Sequence, residues 1–264
     1  PRRRCSHGGY RDNRIKCFVE KRIPLSTWKL VISYKGEYFS GSQIQPGKRT
    51  VQEELENAWE KVTGSRCRAV LAGRTDAGVS ALGQVATIKA DWPGTPEELL
   101  EKLRKCLTQS IEIRKVERVS DNFDARKSAI WRRYRYVFSK DDIARFGFIS
   151  VESMRQAARA LVGEKDFAAF ASQSELGPRG TVRRILDINV IWDKAANNLC
   201  IEIVADAFLR QMVRRIVSAL IWVGTGKIEV VELLRAVEIK ARQLLPGPAP
   251  AKNLTLVEVG YGEC

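Results

Sequence analysis

Between residues 72 and 79 the chain reads Ala72-Gly73-Arg74-Thr75-Asp76-Ala77-Gly78-Val79, its most informative stretch. Two glycines bracket an Arg-Thr-Asp triplet. Glycine permits the backbone angles of a tight, closely packed loop. Such a loop, held between strands, can project Asp76 and Arg74 from a rigid support. The same residues also suit an ordinary polar turn in which Asp76 bonds its own backbone. The rest of the composition narrows the chemistry. There is one histidine, His7. Ser-His-Asp and Cys-His catalysis in ordinary form, HExxH zinc proteases and multi-histidine metal sites are therefore excluded. An enzyme of this composition must draw its acid, base or nucleophile from Asp, Glu, Tyr, Lys, Cys or Ser. Cys5, Cys17, Cys67, Cys106, Cys200 and Cys264 form no CxxC pair. Six scattered cysteines read as reduced, mostly buried thiols of an intracellular protein.

Two further segments carry cations beside apolar or aromatic residues. In Arg132-Arg133-Tyr134-Arg135-Tyr136, an extended backbone places Arg132, Tyr134 and Tyr136 on one face. Rings that stack on bases, interleaved with arginines that meet phosphates, suit RNA. A surface strand whose tyrosines cover the core edge fits equally well. In Phe208-Leu209-Arg210-Gln211-Met212-Val213-Arg214-Arg215, the apolar stripe of a packed helix leaves Arg210 and Arg214 one turn apart on the polar side. Arginines held there can pair with a carboxylate in a groove, or stay solvated. Gly47-Lys48-Arg49-Thr50 lacks the upstream glycine of a phosphate loop, and Gly224-Thr225-Gly226 follows no strand, so neither marks a nucleotide site.

The elements that must position these residues show in the periodicity. Residues 1–26 are polar and basic and read as an extension. The sequence opens on Pro1 without an initiator Met, and Arg2-Arg3-Arg4 fits the tail of an organellar transit peptide or a basic arm. Trp28, Leu30, Ile32 and Tyr34 alternate as a half-buried strand. Thr50 with Glu53 reads as a capping box opening a helix that ends before Gly64. Strands are predicted at 68–72 and 84–89, a helix after Thr95-Pro96-Glu97-Glu98, and a long strand at 129–138. Their order, β-α-β-β-α-β, is ferredoxin-like. The second half is predicted as a helix at 151–161 stopped by Gly163, strands at 182–192 and 199–205, helices at 208–223 and 229–244, and a strand at 254–261. The expected architecture is α+β: two ferredoxin-like-type subdomains, 27–140 and 141–264, forming a mainly antiparallel sheet with helices on one side and a central basic cleft. With 44% hydrophobic and 29% charged residues in 264, the chain is globular, with one large domain or two smaller ones. Its 45 Lys and Arg against 31 Asp and Glu give a net charge of +14. A polyanion, nucleic acid foremost, is the expected partner. No apolar run is long enough to span a bilayer, and no secretory signal is visible.

The sequence is identified as similar to the TruA-type tRNA pseudouridine synthases. Gly73-Arg74-Thr75-Asp76-Ala77-Gly78-Val79 with Gly83-Gln84-Val85 resembles the family signature. Gln45-Pro46-Gly47-Lys48-Arg49-Thr50-Val51-Gln52, Phe123-Asp124-Ala125-Arg126-Lys127-Ser128-Ala129, Tyr134-Arg135-Tyr136, Thr181-Val182-Arg183, Phe208-Leu209 with Met212-Val213-Arg214, and Ala249-Pro250-Ala251 follow in the family's order. The resemblance implies an isomerase that converts uridine to pseudouridine in the tRNA anticodon arm, as a homodimer, with no cofactor and no metal. It implies Asp76 as catalytic nucleophile, Tyr134 as active-site tyrosine, Arg214 as basic partner of the aspartate, and Arg74 as a residue that helps displace the base. Attack on the sugar, attack on the base and proton abstraction by Asp76 all stay open from sequence. A non-catalytic RNA-binding or RNA-folding protein on the same fold is the alternative. The compartment is expected to be intracellular, cytoplasmic or organellar (plastid or mitochondrial). Four departures stand out: Ser80 where the family usually has His, Ser42 where an aromatic is common, Asn253 where Gly is common, and no Pro in 107–111. They are expected to alter loop packing or RNA contact and to leave Asp76, Tyr134 and Arg214 in place.

Overall fold

A computed structural model of the chain describes residues 25–172, 180–193, 195 and 198–262. His7, Arg2 to Arg4, Cys5, Cys17 and Cys264 lie outside them, as does the expected extension up to residue 24.

The first half contains β1 (Ser26–Tyr34), α1 (Val51–Thr63), β2 (Ala69–Leu71), β3 (Ser80–Ala90), α2 (Pro96–Cys106) and β4 (Ile111–Val119). The second contains β5 (Trp131–Phe138), α3 (Lys140–Ala144), α4 (Val151–Leu161), β6 (Gly163–Asp166), β7 (Val182–Asp193), β8 (Asn198–Ala205), α5 (Met212–Gly224), α6 (Val230–Glu238) and β9 (Leu254–Gly260). All strands join one sheet in the order β4-β1-β3-β9-β5-β8-β7-β6, with β2 on β3. Pairing is antiparallel except between β3 and β9. The fold is mixed α+β with a large, mainly antiparallel sheet.

Both halves use the same connectivity. In β1-α1-β2-β3-α2-β4 the fourth strand lies beside the first, and the first beside the third. In β5-α4-β7-β8-α5-β9 the order repeats, and the fourth strand, β9, also pairs with β3. The strand at 129–138 therefore does not close the first β-α-β-β-α-β unit, as its position in the sequence suggested. That place belongs to β4, which the periodicity did not reveal.

Local chemistry explains the element ends. Thr95 makes the full capping box: its side chain accepts from the Glu98 N–H, and Glu98 reaches back to the Thr95 N–H. The Thr50 box does not form. Its hydroxyl is buried without a hydrogen-bond partner among the described residues. The first N–H groups of α1 donate instead to backbone carbonyls, Val51 to Gly41 and Gln52 to Ser42. Those donors need any acceptor, and a neighbouring loop supplies it. The α5 helix begins at Met212 rather than 208, because Gln211 takes a left-handed φ of 63°. The helix expected over 229–244 ends at Glu238, with Lys240 at φ 58° and a short 3-10 turn at Arg242–Leu244. Ser139 and Asp142 cap the short α3 in a box that sequence reading passed over.

Alternation along the strands builds the core. Trp28, Leu30, Ile32 and Tyr34 of β1, Tyr136 and Phe138 of β5, and Leu199, Ile201 and Ile203 of β8 are buried. They form one cluster with Leu55 and Trp59 of α1, Leu99 and Leu103 of α2, Met154 and Leu161 of α4, and Ile216 and Leu220 of α5. Among the described residues no helix is long and apolar enough to cross a membrane.

The β3–β9 seam has little slack at Gly83. A Cβ there would sit 2.5 Å from the Val257 carbonyl oxygen, a backbone atom that cannot turn aside. Gly83→Ala is expected to destabilise the fold by about 1–3 kcal/mol through overpacking. Gly247→Ala, where a Cβ meets nothing within 4 Å, should stay within about 0.5 kcal/mol of wild type. Denaturant unfolding of the two variants checks this.

Candidate functional site

The Asp76 loop is held from beneath by neutral hydrogen bonds. Val79 N–H donates to Asp76 O at 3.1 Å and closes the turn. Gly78 takes φ 81° to allow it. Thr75 is buried, and its N–H donates to Ser42 Oγ at 2.8 Å. The Ser42 N–H donates to Thr75 O at 3.1 Å. Ser42 thus grips both polar groups of the Thr75 backbone while its own carbonyl receives Gln52 of α1. Tyr34 OH meets Thr75 Oγ1 at 2.9 Å, and Gln84 Nε2 donates to Gly73 O at 2.8 Å. These partners on β1, β3 and the loop before α1 leave Asp76 facing outward. Sequence reading missed Thr75, Tyr34 and Gln84 as supports of the site and treated Ser42 only as a departure.

The charged partners come from the other half. Arg214, in the first turn of α5, places Nη1 3.0 Å from Asp76 Oδ2. Its Nε donates to Ala249 O at 2.6 Å, so the guanidinium is fixed at two points. The side chains are 15% and 24% exposed. Arg210 lies before α5, not one turn along it, and its Nε is 3.8 Å from Asp76 Oδ1. The structure thus brings Asp76, Arg214 and Arg210 together, as a packed α5 allowed.

Tyr134 on β5 completes the group. It is buried, and Phe208 meets its ring edge-on at 5.2 Å between centroids. Burial pushes its phenol well above the usual tyrosine range. The charges of Tyr34 and Asp76 act in the same direction, and that of Arg132 opposes them. At neutral pH Tyr134 is a protonated ring with a donor hydroxyl. Phe208 entered the sequence reading only as a motif residue, because its place against Tyr134 is set by β5 and the chain before α5.

Arg132 does not serve as a phosphate contact. It is buried, and its guanidinium donates to the carbonyls of Ala72, Arg126, Ala129 and Asp206. It ties the base of the Asp76 loop to the start of β5 and the end of β8. Tyr136 is likewise fully buried in the core. For Arg132 and Tyr136 the core-covering reading holds. Arg135 points outward to Glu202 at 2.6 Å. Arg74 is exposed on the Asp76 loop. Among the described residues no cluster of His, Cys, Asp and Glu could hold a metal ion. The Cys67 thiol is pushed up to about 12 by burial and by Glu56 and Glu60, so it supplies no thiolate near neutral pH.

The departures have structural roles. Ser80 Oγ accepts from the Gly36 N–H at 3.0 Å. Asn253 Nδ2 donates to Val137 O and Asp142 Oδ2, each at 2.9 Å. Arg49 donates to Thr108 Oγ1 at 2.8 Å and Ser110 Oγ at 2.9 Å. Ser42→Ala strips the acceptor from a buried N–H next to Asp76. It is expected to cost about 1–3 kcal/mol of stability. Ser42→Thr should restore part of it. Unfolding curves of the two variants check this.

The chain is similar in sequence to known proteins. The family model described as tRNA pseudouridine synthase matches residues 30–126 and 157–262. A tRNA pseudouridine synthase A of Bacillus subtilis strain 168 is 37% identical over 246 residues, covering 88% of this chain and 98% of the relative. One from Chloroflexus aurantiacus is 37% identical over 254 residues, covering 90% and 89%. One from Limosilactobacillus fermentum is 34% identical over 247 residues, covering 89% and 95%. With the matched segments including Asp76, Arg210 and Arg214, the chain belongs to the tRNA pseudouridine synthase family of isomerases.

Proposed function

We propose that this protein isomerises uridine to pseudouridine in the anticodon arm of tRNA, with Asp76 as nucleophile, and that it does so as a homodimer. The observation that carries this reading is the Asp76 carboxylate set 3.0 Å from Arg214 beside the buried Tyr134. The RNA lies across the junction of the halves in a basic cleft, drawn there by the net charge of +14.

The chemistry follows from what these groups can do. The target uridine leaves the stack, as a base must before its glycosidic bond can be reached. Arg74, exposed beside Asp76, fills the space it leaves. An Asp76 oxygen forms a bond to C1′ as the N1–C1′ electrons depart with the uracil. Arg214 stabilises the carboxylate and fixes its direction. The uracil turns against the Tyr134 ring, and C5 attacks C1′, expelling the carboxylate. C5 gives up its proton and N1 gains one, so the net change is an isomerisation. Tyr134 acts as a stacking surface and hydrogen-bond donor, in keeping with its raised phenol.

Asp76→Ala and Asp76→Asn are expected to abolish turnover while tRNA still binds. Tritium release from C5-labelled tRNA measures the first and filter binding the second. Turnover surviving in Asp76→Ala would overturn the assignment, and wild-type protein that binds tRNA but releases no tritium would make it a binding module. A primary isotope effect with 2′-deuterated uridine would make Asp76 a base rather than a nucleophile. Arg214→Gln is expected to lower kcat by about 100-fold or more, the scale of losing one electrostatic stabiliser. Activity is expected to show no alkaline limb from Tyr134 below about pH 10, because burial raises its phenol further still. A kcat profile to pH 10 checks it, and Tyr134→Phe should leave the shape of that profile unchanged.

A further inference from the structure

Two arginines are buried almost as deeply as core residues, and the fold treats them differently. Arg132 is 8% exposed, and its guanidinium meets four carbonyl oxygens at 2.6–3.1 Å. Arg215, in the first turn of α5, is 5% exposed. Its Nη1 reaches the Pro246 carbonyl at 3.3 Å, longer than a good N–H···O bond. Its Nε is buried with no hydrogen-bond partner among the described residues. Among those residues no carboxylate forms an ion pair with it either.

A buried guanidinium without a counter-charge is costly, and its surroundings add to the cost. The adjacent Arg214 already has Asp76 as its partner. Arg242 opens the turn that runs into Pro246, with the Leu245 N–H on Arg242 O at 3.2 Å. Burial weakens the hold of Arg215 on its proton, and the charges of Arg242 and Arg214 weaken it further. The start of α5 contributes the same sign. Gln211 supplies no side-chain cap there, and no acidic residue stands in the first turn. Free N–H groups at a helix start favour an anion, and helical side chains lean back towards that end. Unspent donors, unmatched positive charge and an uncapped helix start thus meet beside the 242–246 turn. A phosphate group answers all three, because its oxygens match a guanidinium in charge and fork geometry.

We propose that Arg215 and Arg242 form a site for one backbone phosphate of the bound RNA. The phosphate oxygens accept from both guanidinia and bring the counter-charge that Arg215 lacks. The site lies one residue along α5 from the partner of Asp76, so a strand held at one is in reach of the other. The proposal rests on RNA as the substrate and holds whichever step Asp76 performs.

The test compares the full wild-type chain with Arg215→Met, Arg242→Gln and the double variant, using an unmodified tRNA transcript. Each single variant is expected to weaken tRNA binding about ten-fold. Each should also make the slope of log affinity against log salt shallower by about 0.7–0.9, one phosphate. The double variant should lose no more slope than either single one, because both arginines serve the same phosphate. Arg215→Met should unfold at the wild-type denaturant midpoint or above it, since it removes an unpaired buried charge. A purely structural clamp would lose stability instead and leave tRNA binding alone. If Arg215→Met does not fold, Arg242→Gln on its half-buried turn carries the binding test. Unchanged slopes in the single variants would overturn the proposal, and additive slopes would replace the shared site with two separate contacts. It is also overturned if inorganic phosphate, at constant ionic strength, raises the Tm of wild type but not of Arg215→Met while both bind tRNA equally, the mark of a site for free phosphate. Failure of the RNA reading is separate, because it shows as wild-type protein that binds no tRNA.

Discussion

The Asp76–Arg214 ion pair joins residues 138 positions apart in sequence, and the rest of the structure is arranged around making that distance short. The carboxylate arrives on a loop between β2 and β3. The guanidinium arrives at the start of α5. Neither half of the sheet brings them together alone. The final strand, β9, lies between β3 and β5, and the segment before it supplies the Ala249 carbonyl that fixes Arg214. A charge pair outside bulk water is useful only when its geometry is imposed, and here strand order imposes it.

Neutral and charged groups divide the work. Ser42, Tyr34 and Gln84 satisfy the buried backbone and hydroxyl groups beneath the loop, where an unpaired polar atom is costly. Charges are kept for the outward side. Arg132 is the exception. Its buried guanidinium meets four carbonyl oxygens. Carbonyls spread its charge among dipoles that would themselves be unsatisfied, and they bind the loop to both β5 and β8 without drawing Asp76 away.

Much of this was legible in the sequence, and the misses have physical causes. The alternation of β1 and the helix start at Thr95-Pro96-Glu97-Glu98 are local signals, and both are readable. The convergence of Asp76 with Arg214 was expected through the family resemblance, because periodicity says nothing about contacts between halves. Strand β4 escaped notice because Ile111 and Ile113 are followed by Val116, which breaks the period of two. The structure shows why: the β1–β4 register shifts between Val31 and Ile32, so a bulge absorbs the odd residue. Thr50 misled because its sequence fits a capping box while a distant loop supplies the acceptors. Arg132 was placed on the correct face with Tyr134, but four carbonyls from three segments cannot be seen in a strand pattern. In sequence Ser42 stands out only as the absence of an aromatic, whereas in the fold it sits against Thr75.

The seam between the halves is short. Only Ser80 with Thr255 and Ala81 with Leu256 register the parallel pairing of β3 and β9. Each side of it carries its own repeat of strands and helices, and the covalent link is a single stretch from β4 to β5. Such a molecule is in connectivity two modules zipped along one edge. A nick in that stretch would leave fragments with complementary edges, the arrangement exploited when split proteins are reassembled from separately made pieces.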